Sequence, residues 1–242
     1  MNAKINVNSL TVEVTRRCNM ACEHCLRGDA QNMDIDYKTI EEIARLIHPY
    51  VITFTGGEPS LNVPAIQYYF EMAEKYGNLP GAFYVVTNGK ENQTELALTL
   101  LAAYPKCEDK EYCGVCISQD IFHDEVDRDN SIMNGLSFYR PNEHVQPLNE
   151  YSPEWVINEG RAQETGWGCR EETKLHQELP IQELLCAGEV YMDELHIAAN
   201  GLCTDSCDAS YENTDANYIC HISELEDAVD KWIEDAEQEE VA

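Results

Sequence analysis

The chain has 242 residues and sets 45 Asp and Glu against 16 Lys and Arg, a formal charge of −29. That excludes nucleic-acid binding through phosphate contacts and adhesion to an anionic membrane, since both need a basic face. The length suits one α/β domain, alone or with a small appendage; no apolar run is long enough to span a bilayer, and the polar Met1–Asn8 stretch lacks a signal-peptide core, so a cytoplasmic protein is expected.

The first element in chain order is a strand, Ser9 to Thr15, which alternates apolar and polar residues. A cysteine-bearing loop follows. Asp36 then caps a helix whose Ile40, Ile43, Ala44 and Ile47 fall at helical spacing. Val51 to Thr55 is a short strand ending in Gly56-Gly57-Glu58-Pro59, and Pro64 and Gly77 bracket the next helix. Ala82 to Thr87 is a third strand, followed by Asn88-Gly89 and a helix from about Gln93 to Tyr104. Val115 to Ser118 is a fourth strand and Glu154 to Asn158 a fifth. Between them Phe122 to Pro153 reads as a helix and then a loop, and Arg161 to Leu185 resists assignment. A strand returns at Tyr191 to Ala199, Asn200-Gly201 signals a hairpin, and Ser223 with Glu226 forms a capping box for a last helix carrying Leu225, Val229 and Trp232 on one face. The acidic end beyond Glu234 is expected to fray.

Strand and helix alternate through the first half, with the unusual residues just after strand ends. Parallel βα units follow, and in barrels of such units chemistry gathers at the C-terminal strand ends. Cys18, Cys22 and Cys25 stand there in the spacing C-x3-C-x2-C. Three thiolates hold three corners of a [4Fe–4S] cluster and leave one iron open, whereas clusters of this kind usually take four. The alternative is zinc, which needs a fourth ligand; His24 is the nearest, but it neighbours Cys25 and points badly.

The cysteine spacing, with the Gly-Gly-Glu-Pro run thirty residues later, resembles the radical S-adenosylmethionine (radical SAM) enzymes. The resemblance covers Ser9 to Ala162 firmly and Leu195 to Trp232 loosely. It implies a partial (β/α)6-type TIM barrel, residues 1–185, with a small cysteine-containing extension, residues 186–242. It implies a [4Fe–4S] cluster on Cys18, Cys22 and Cys25, and SAM bound by Gly56, Gly57, Glu58 and Pro59, with His24 beside the adenine. Asn88, Ser118 and Asp120, with His123 nearby, match polar positions facing SAM or substrate, and Arg161 in Gly160-Arg161-Ala162 matches an arginine that pairs with a carboxylate. The implied chemistry is reductive cleavage of SAM to a 5′-deoxyadenosyl radical that abstracts a substrate hydrogen, the electron coming from a flavodoxin- or ferredoxin-type partner.

Eleven cysteines in a chain without a secretion signal favour metal or cluster binding over disulfides. Cys186, Cys203, Cys207 and Cys220 surround the hairpin signal and resemble a shortened SPASM/twitch tail, which implies one auxiliary iron–sulfur cluster; buried free thiols or zinc are the alternatives. Cys113 and Cys116 have metal-like spacing, but Cys116 sits in a strand and no metal is expected there. The roles of Cys107 and Cys169 stay open. The tail favours a peptide or protein-side-chain substrate. A radical SAM enzyme acting on a sugar or nucleotide, and a non-catalytic iron–sulfur or zinc protein, are the competing readings.

Overall fold

The structure, a computed structural model, describes residues 5–118, 120–123, 132–140 and 155–241, with backbone alone for 187 and 239–241. Its first strand, β1 (Ile5–Thr15), sits in the middle of a sheet ordered β4-β3-β2-β1-β6-β7-β8. Parallel partners are β2 (Ile47–Gly56), β3 (Ala82–Thr87) and β4 (Gly114–Ile117) on one side and β6 (Glu189–Ile197) on the other. β5 (Ile181–Leu185) runs antiparallel to β6; β7 (Leu202–Thr204) and β8 (Cys220–His221) extend the far edge antiparallel.

The strand register explains which residues are buried. Leu10 lies beside Ile52 and Leu195, Val12 beside Phe54 and Ile197. Ile52 and Phe54 continue to Phe83 and Val85, and Val85 to Val115. These form one apolar face, because side chains on neighbouring strands at matched positions point the same way. Helices α1 (Tyr37–Leu46), α2 (Val63–Tyr76) and α3 (Gln93–Ala103) contribute Ile40, Ile43, Ile66, Phe70, Leu96 and Leu100 to the same core. The opposite face is polar, with Thr11 and Glu13 on β1, Thr53 on β2, and Glu194 and His196 on β6.

Local chemistry sets the helix ends. Asp36 accepts a 2.7 Å bond from the Thr39 N–H, the expected cap. Ile47 is extended and begins β2 rather than ending the helix. The carbonyls of Ala44 and Arg45 at that abrupt end are satisfied by Asn78 Nδ2, at 3.0 and 2.9 Å. Gly77 takes the left-handed conformation (φ 73°) that closes α2.

The sheet is parallel-rich and open: among the described residues β4 and β8 are its edges. Several expectations need correction. No strand spans 155–158: among the described residues Ile157 makes only an isolated bridge to Arg170, and Trp155 is 75% exposed. Of the helix and loop expected over Phe122 to Pro153, positions 124–131 and 141–154 lie outside the described residues; Ile132–Gly135 is a 3-10 turn. The final capping box is His221 with Glu224, ahead of α6 (Leu225–Val241), because Glu226 pairs instead with Arg45 on α1 at 2.8 Å. Two short helices complete the fold, α4 (Gly160–Thr165) and α5 (Tyr211–Ala216). Among the described residues no helix is long and apolar enough to cross a membrane.

Candidate functional site

The loop leaving β1 carries Cys18, Cys22 and Cys25, all half-buried free thiols. They line one cavity of about 360 Å³ together with Gly56, Gly57, Glu58, Asn88, Ser118, His123 and Arg161. The site expected at the strand ends is therefore assembled from the ends of β1 to β4 and from α4.

The two glycines act first on the protein itself. A Cβ on Gly56 would stand 2.1 Å from the Thr15 carbonyl oxygen, and one on Gly57 2.4 Å from that of Arg17. Their absence lets the turn seal against the root of the cysteine loop, with Gly57 N–H donating to the Thr15 carbonyl and Glu58 N–H to that of Arg17, both at 2.8 Å. Glu58 is buried and accepts three bonds, from Ser60 N–H (3.0 Å), the Thr87 hydroxyl (2.6 Å) and Asn88 N–H (2.7 Å). Its carboxylate ties the end of β2 to the end of β3. Asn88 in turn donates to Asn19 Oδ1 at 2.7 Å, and Pro59 opens the 3-10 turn that follows.

After β4, Asp120 organises a tight turn. Its Oδ1 accepts from Phe122 N–H (2.8 Å) and His123 N–H (3.1 Å), and lies 2.7 Å from His123 Nδ1. Burial works to raise the Asp120 pKa, but the hydrogen bond and charge of His123 outweigh it and hold the carboxyl down. Burial works against charge on His123 as well; bonds to Asp120 and Cys22 overcome it and push His123 up to about 9. His24 lies 3.6 Å from Asp120 and stacks on Phe122 at 4.3 Å. Phe122 meets Trp167 edge-on at 4.8 Å. Burial lowers the His24 pKa, so its ring is neutral.

The segment that resisted assignment holds the loop from outside. Arg161 donates to the Cys22 carbonyl (3.2 Å) and to Asp29 (2.6 Å). Ala162 N–H donates to the Cys25 carbonyl, and the Thr165 hydroxyl to that of Glu23. A Cβ on Gly160 would lie 2.3 Å from the Leu26 carbonyl oxygen, so only glycine permits this docking. From below, Arg16 is fully buried, bonded to Glu13 (3.0 Å) and bidentately to Asp215 (2.8 and 2.7 Å), with its guanidinium 4.6 Å from the Tyr211 ring. Glu13, Arg16 and Asp215 carried no motif. The only signal in the sequence was a carboxylate and an arginine bounding a strand that is otherwise apolar on one face.

The tail cysteines meet different surroundings. Cys186 is exposed. Cys203 and Cys220 are register partners on β7 and β8; their mutual hydrogen bond, with burial, pushes the Cys203 thiol up. Cys207 lines the cavity of the first three cysteines. Cys107 and Cys113 share a hydrogen bond in the core, Cys116 is buried on β4, and Cys169 is exposed.

The donor set fits an iron–sulfur cluster better than zinc. Sulfurs on one tetrahedral zinc would sit roughly 3.8 Å apart, from Zn–S bonds of about 2.3 Å. Among the described residues the only three metal-capable side chains gathered within 4.8 Å are His24, Asp120 and His123, not the cysteines. Among the described residues two buried polar atoms on the cysteine loop, Asn19 Nδ2 and His24 Nδ1, have no hydrogen-bond partner, and His24 lines the cavity.

The Radical SAM superfamily model matches residues 12–135, just over half of the chain. This chain belongs to the radical SAM superfamily. The radical SAM protein is 34% identical over 84 residues to the uncharacterized protein MJ0907 of Methanocaldococcus jannaschii, covering 33% of this chain and 29% of that one. It is 33% identical over 85 residues to the putative protein YfkA of Bacillus subtilis, covering 32% and 22%. The match thus spans under a third of each curated relative. Among solved structures, anSMEcpe with bound AdoMet and Cp18Cys peptide overlaps with a TM-score of 0.39 at 21% identity, over 49% of this chain and 33% of that one. Streptococcus suis SuiB bound to precursor peptide SuiA overlaps with a TM-score of 0.40 at 12% identity, over 86% and 60%.

Proposed function

We propose that this radical SAM protein is an enzyme that removes a hydrogen atom from a peptide substrate. The observation that carries the reading is the convergence of three half-buried thiols, the Gly56-Gly57 turn, Asn88 and Ser118 on one cavity. That cavity adjoins a larger open groove of about 1260 Å³ through shared walls at Arg27, Gly28 and Tyr211. The groove exceeds the size of a usual small-ligand pocket, roughly 300–1,000 Å³, which suits an extended chain better than a sugar or nucleotide.

In this reading Cys18, Cys22 and Cys25 hold a [4Fe–4S] cluster, and SAM lies against Gly56, Gly57, Asn88 and Ser118. Bound there, the pair supplies one-electron cleavage of SAM to a species able to take a hydrogen atom, fed by a flavodoxin- or ferredoxin-type donor. The SAM amino group would be held by the Gly56-Gly57 backbone and by Glu58, whose carboxylate accepts three bonds within the protein and keeps acceptor capacity at Oε2. His24, with one face stacked on Phe122, presents its remaining surface and edge to an adenine. Phe122 and Trp167 meet edge-on behind His24 and support its ring from that side. Residues 1–185 supply the thiols and strand ends; residues 186–242 brace them through Asp215 and Tyr211.

The test is iron and sulfide content, and 5′-deoxyadenosine formed on reduction with SAM, in anaerobically reconstituted wild type and a Cys18→Ala, Cys22→Ala, Cys25→Ala variant. The expected result is about four irons per chain and 5′-deoxyadenosine in wild type, and neither in the variant. Zinc in place of iron, or iron without 5′-deoxyadenosine, overturns the reading. About four irons surviving in the variant would establish a cluster on the tail cysteines.

A further inference from the structure

Arg27 belongs to both cavities. It lines the wall of the cysteine cavity and of the adjoining groove, where Gly28 and Tyr211 are also shared. Among the described residues its guanidinium makes one hydrogen bond, Nη1 to the Ala209 carbonyl at 2.9 Å. Its own carbonyl accepts from Tyr211 N–H at 3.2 Å. The side chain is therefore fixed by the Ala209–Tyr211 segment while most of its five N–H donors stay uncommitted.

Glu13 is the nearby buried carboxylate and feels the Arg27 charge more strongly than that of Arg16, but its side-chain hydrogen bond goes to Arg16 at 3.0 Å, so the Arg27 donors are not spent on it. Asp29 on the same loop is claimed by Arg161. Uncommitted guanidinium donors at the mouth of a catalytic cavity suit a planar, two-oxygen acceptor, since the fork of an arginine matches a carboxylate bidentately. The groove beyond is walled by Asp29, Glu164, Glu171, Glu172 and Glu212, which repel a ligand bearing several negative charges. A single carboxylate on an otherwise neutral or cationic molecule satisfies both conditions; a nucleoside polyphosphate does not.

We propose that Arg27 anchors a carboxylate of the substrate at the junction of groove and cavity, fixing which part of the substrate lies over the cluster cysteines. This rests on the peptide reading above and narrows it to substrates with a free carboxylate close to the reacting carbon. Arg27 is a positioning and specificity residue. SAM also carries a carboxylate, so the test must separate the two sources.

The experiment titrates reconstituted, SAM-loaded holoprotein by calorimetry with two probes: an acetylated Gly-Leu-Gly tripeptide with a free C-terminal carboxylate, and its C-terminal amide. Wild type, Arg27→Lys and Arg27→Gln are compared, and SAM affinity is measured for each. The acid should bind wild type about tenfold more tightly than the amide, a charge-assisted bidentate bond being worth that much. The preference should shrink in Arg27→Lys and vanish in Arg27→Gln, with SAM affinity changed less than about twofold. Equal binding of acid and amide by wild type, or binding of neither, overturns the proposal. A tenfold loss of SAM affinity in Arg27→Gln overturns it too and assigns Arg27 to the SAM carboxylate. Since no readout uses turnover, failure here is distinct from a wild type that makes no 5′-deoxyadenosine, which would overturn the functional reading.

Discussion

A methyl group on Gly57 would stand 2.4 Å from the Arg17 carbonyl oxygen and 2.8 Å from its carbon, inside contact distance of backbone that cannot move without moving Cys18. Gly57→Ala should therefore destabilise the protein by about 3 kcal/mol, in the upper range of single substitutions, and lower the iron bound on reconstitution. Urea unfolding with parallel iron analysis measures both. Stability and iron content unchanged from wild type would show that the turn can separate from the cysteine loop. The two glycines were legible as a motif, but their reason was not. The sequence suggests room for a ligand, whereas the packing shows first a demand from the neighbouring strand. Glu58 follows the same pattern, because its three donors come from residues up to 30 positions away.

At the scale of elements, the join between β1 and α5 is the most consequential. Arg16 is fully buried, and Asp215, its bidentate partner, is 41% exposed. Asp215→Ala leaves the guanidinium with Glu13 and Gln31 alone. The expected cost is about 2 kcal/mol, below the roughly 3–5 kcal/mol of breaking a fully buried pair. Burial works to raise the Asp215 pKa, but hydrogen bonds and charge from Arg16 outweigh it, so the folded value is depressed. The group therefore adds stability above its unfolded pKa of about 3.9 and loses it as pH falls through the lower folded value. The acid limb of the stability curve should be shallower in Asp215→Ala than in wild type, and parallel limbs would remove Asp215 from the titration. Sequence reading recovered β3 to the residue and the caps of α1 and α2, because those signals are local. It mistook 155–158 for strand because the apolar Val156 and Ile157 suit one, and only an isolated bridge to Arg170 forms there, which no local pattern reveals.

The whole molecule carries −29 charges on 242 residues, and self-repulsion of that size works against the compact state. Screening shortens from about 10 Å at 0.1 M salt to about 3 Å at 1 M, so the unfolding temperature should rise with sodium chloride over that range. A fall would mean that ion pairs such as Arg45–Glu226 outweigh the repulsion. The open sheet is the other property of this scale. Alternating strands and helices led to an expectation of parallel βα units, and the parallel run β1 to β4 bears that out. The insertion of β6 beside β1 was not readable, because Ile5 pairs with Val190 and nothing in either short run names the other.

That pairing has a consequence for how the chain is made. β1 leaves the ribosome early, yet its second edge waits for a strand some 185 residues later, and Arg16 waits for an aspartate 199 residues on. At about 5–20 residues per second the nascent cysteine loop stands on a half-built floor for roughly 10–40 s. Iron delivered in that interval would meet three thiols without their scaffold, so a cluster on those thiols is expected to assemble only after β6 and Asp215 have emerged.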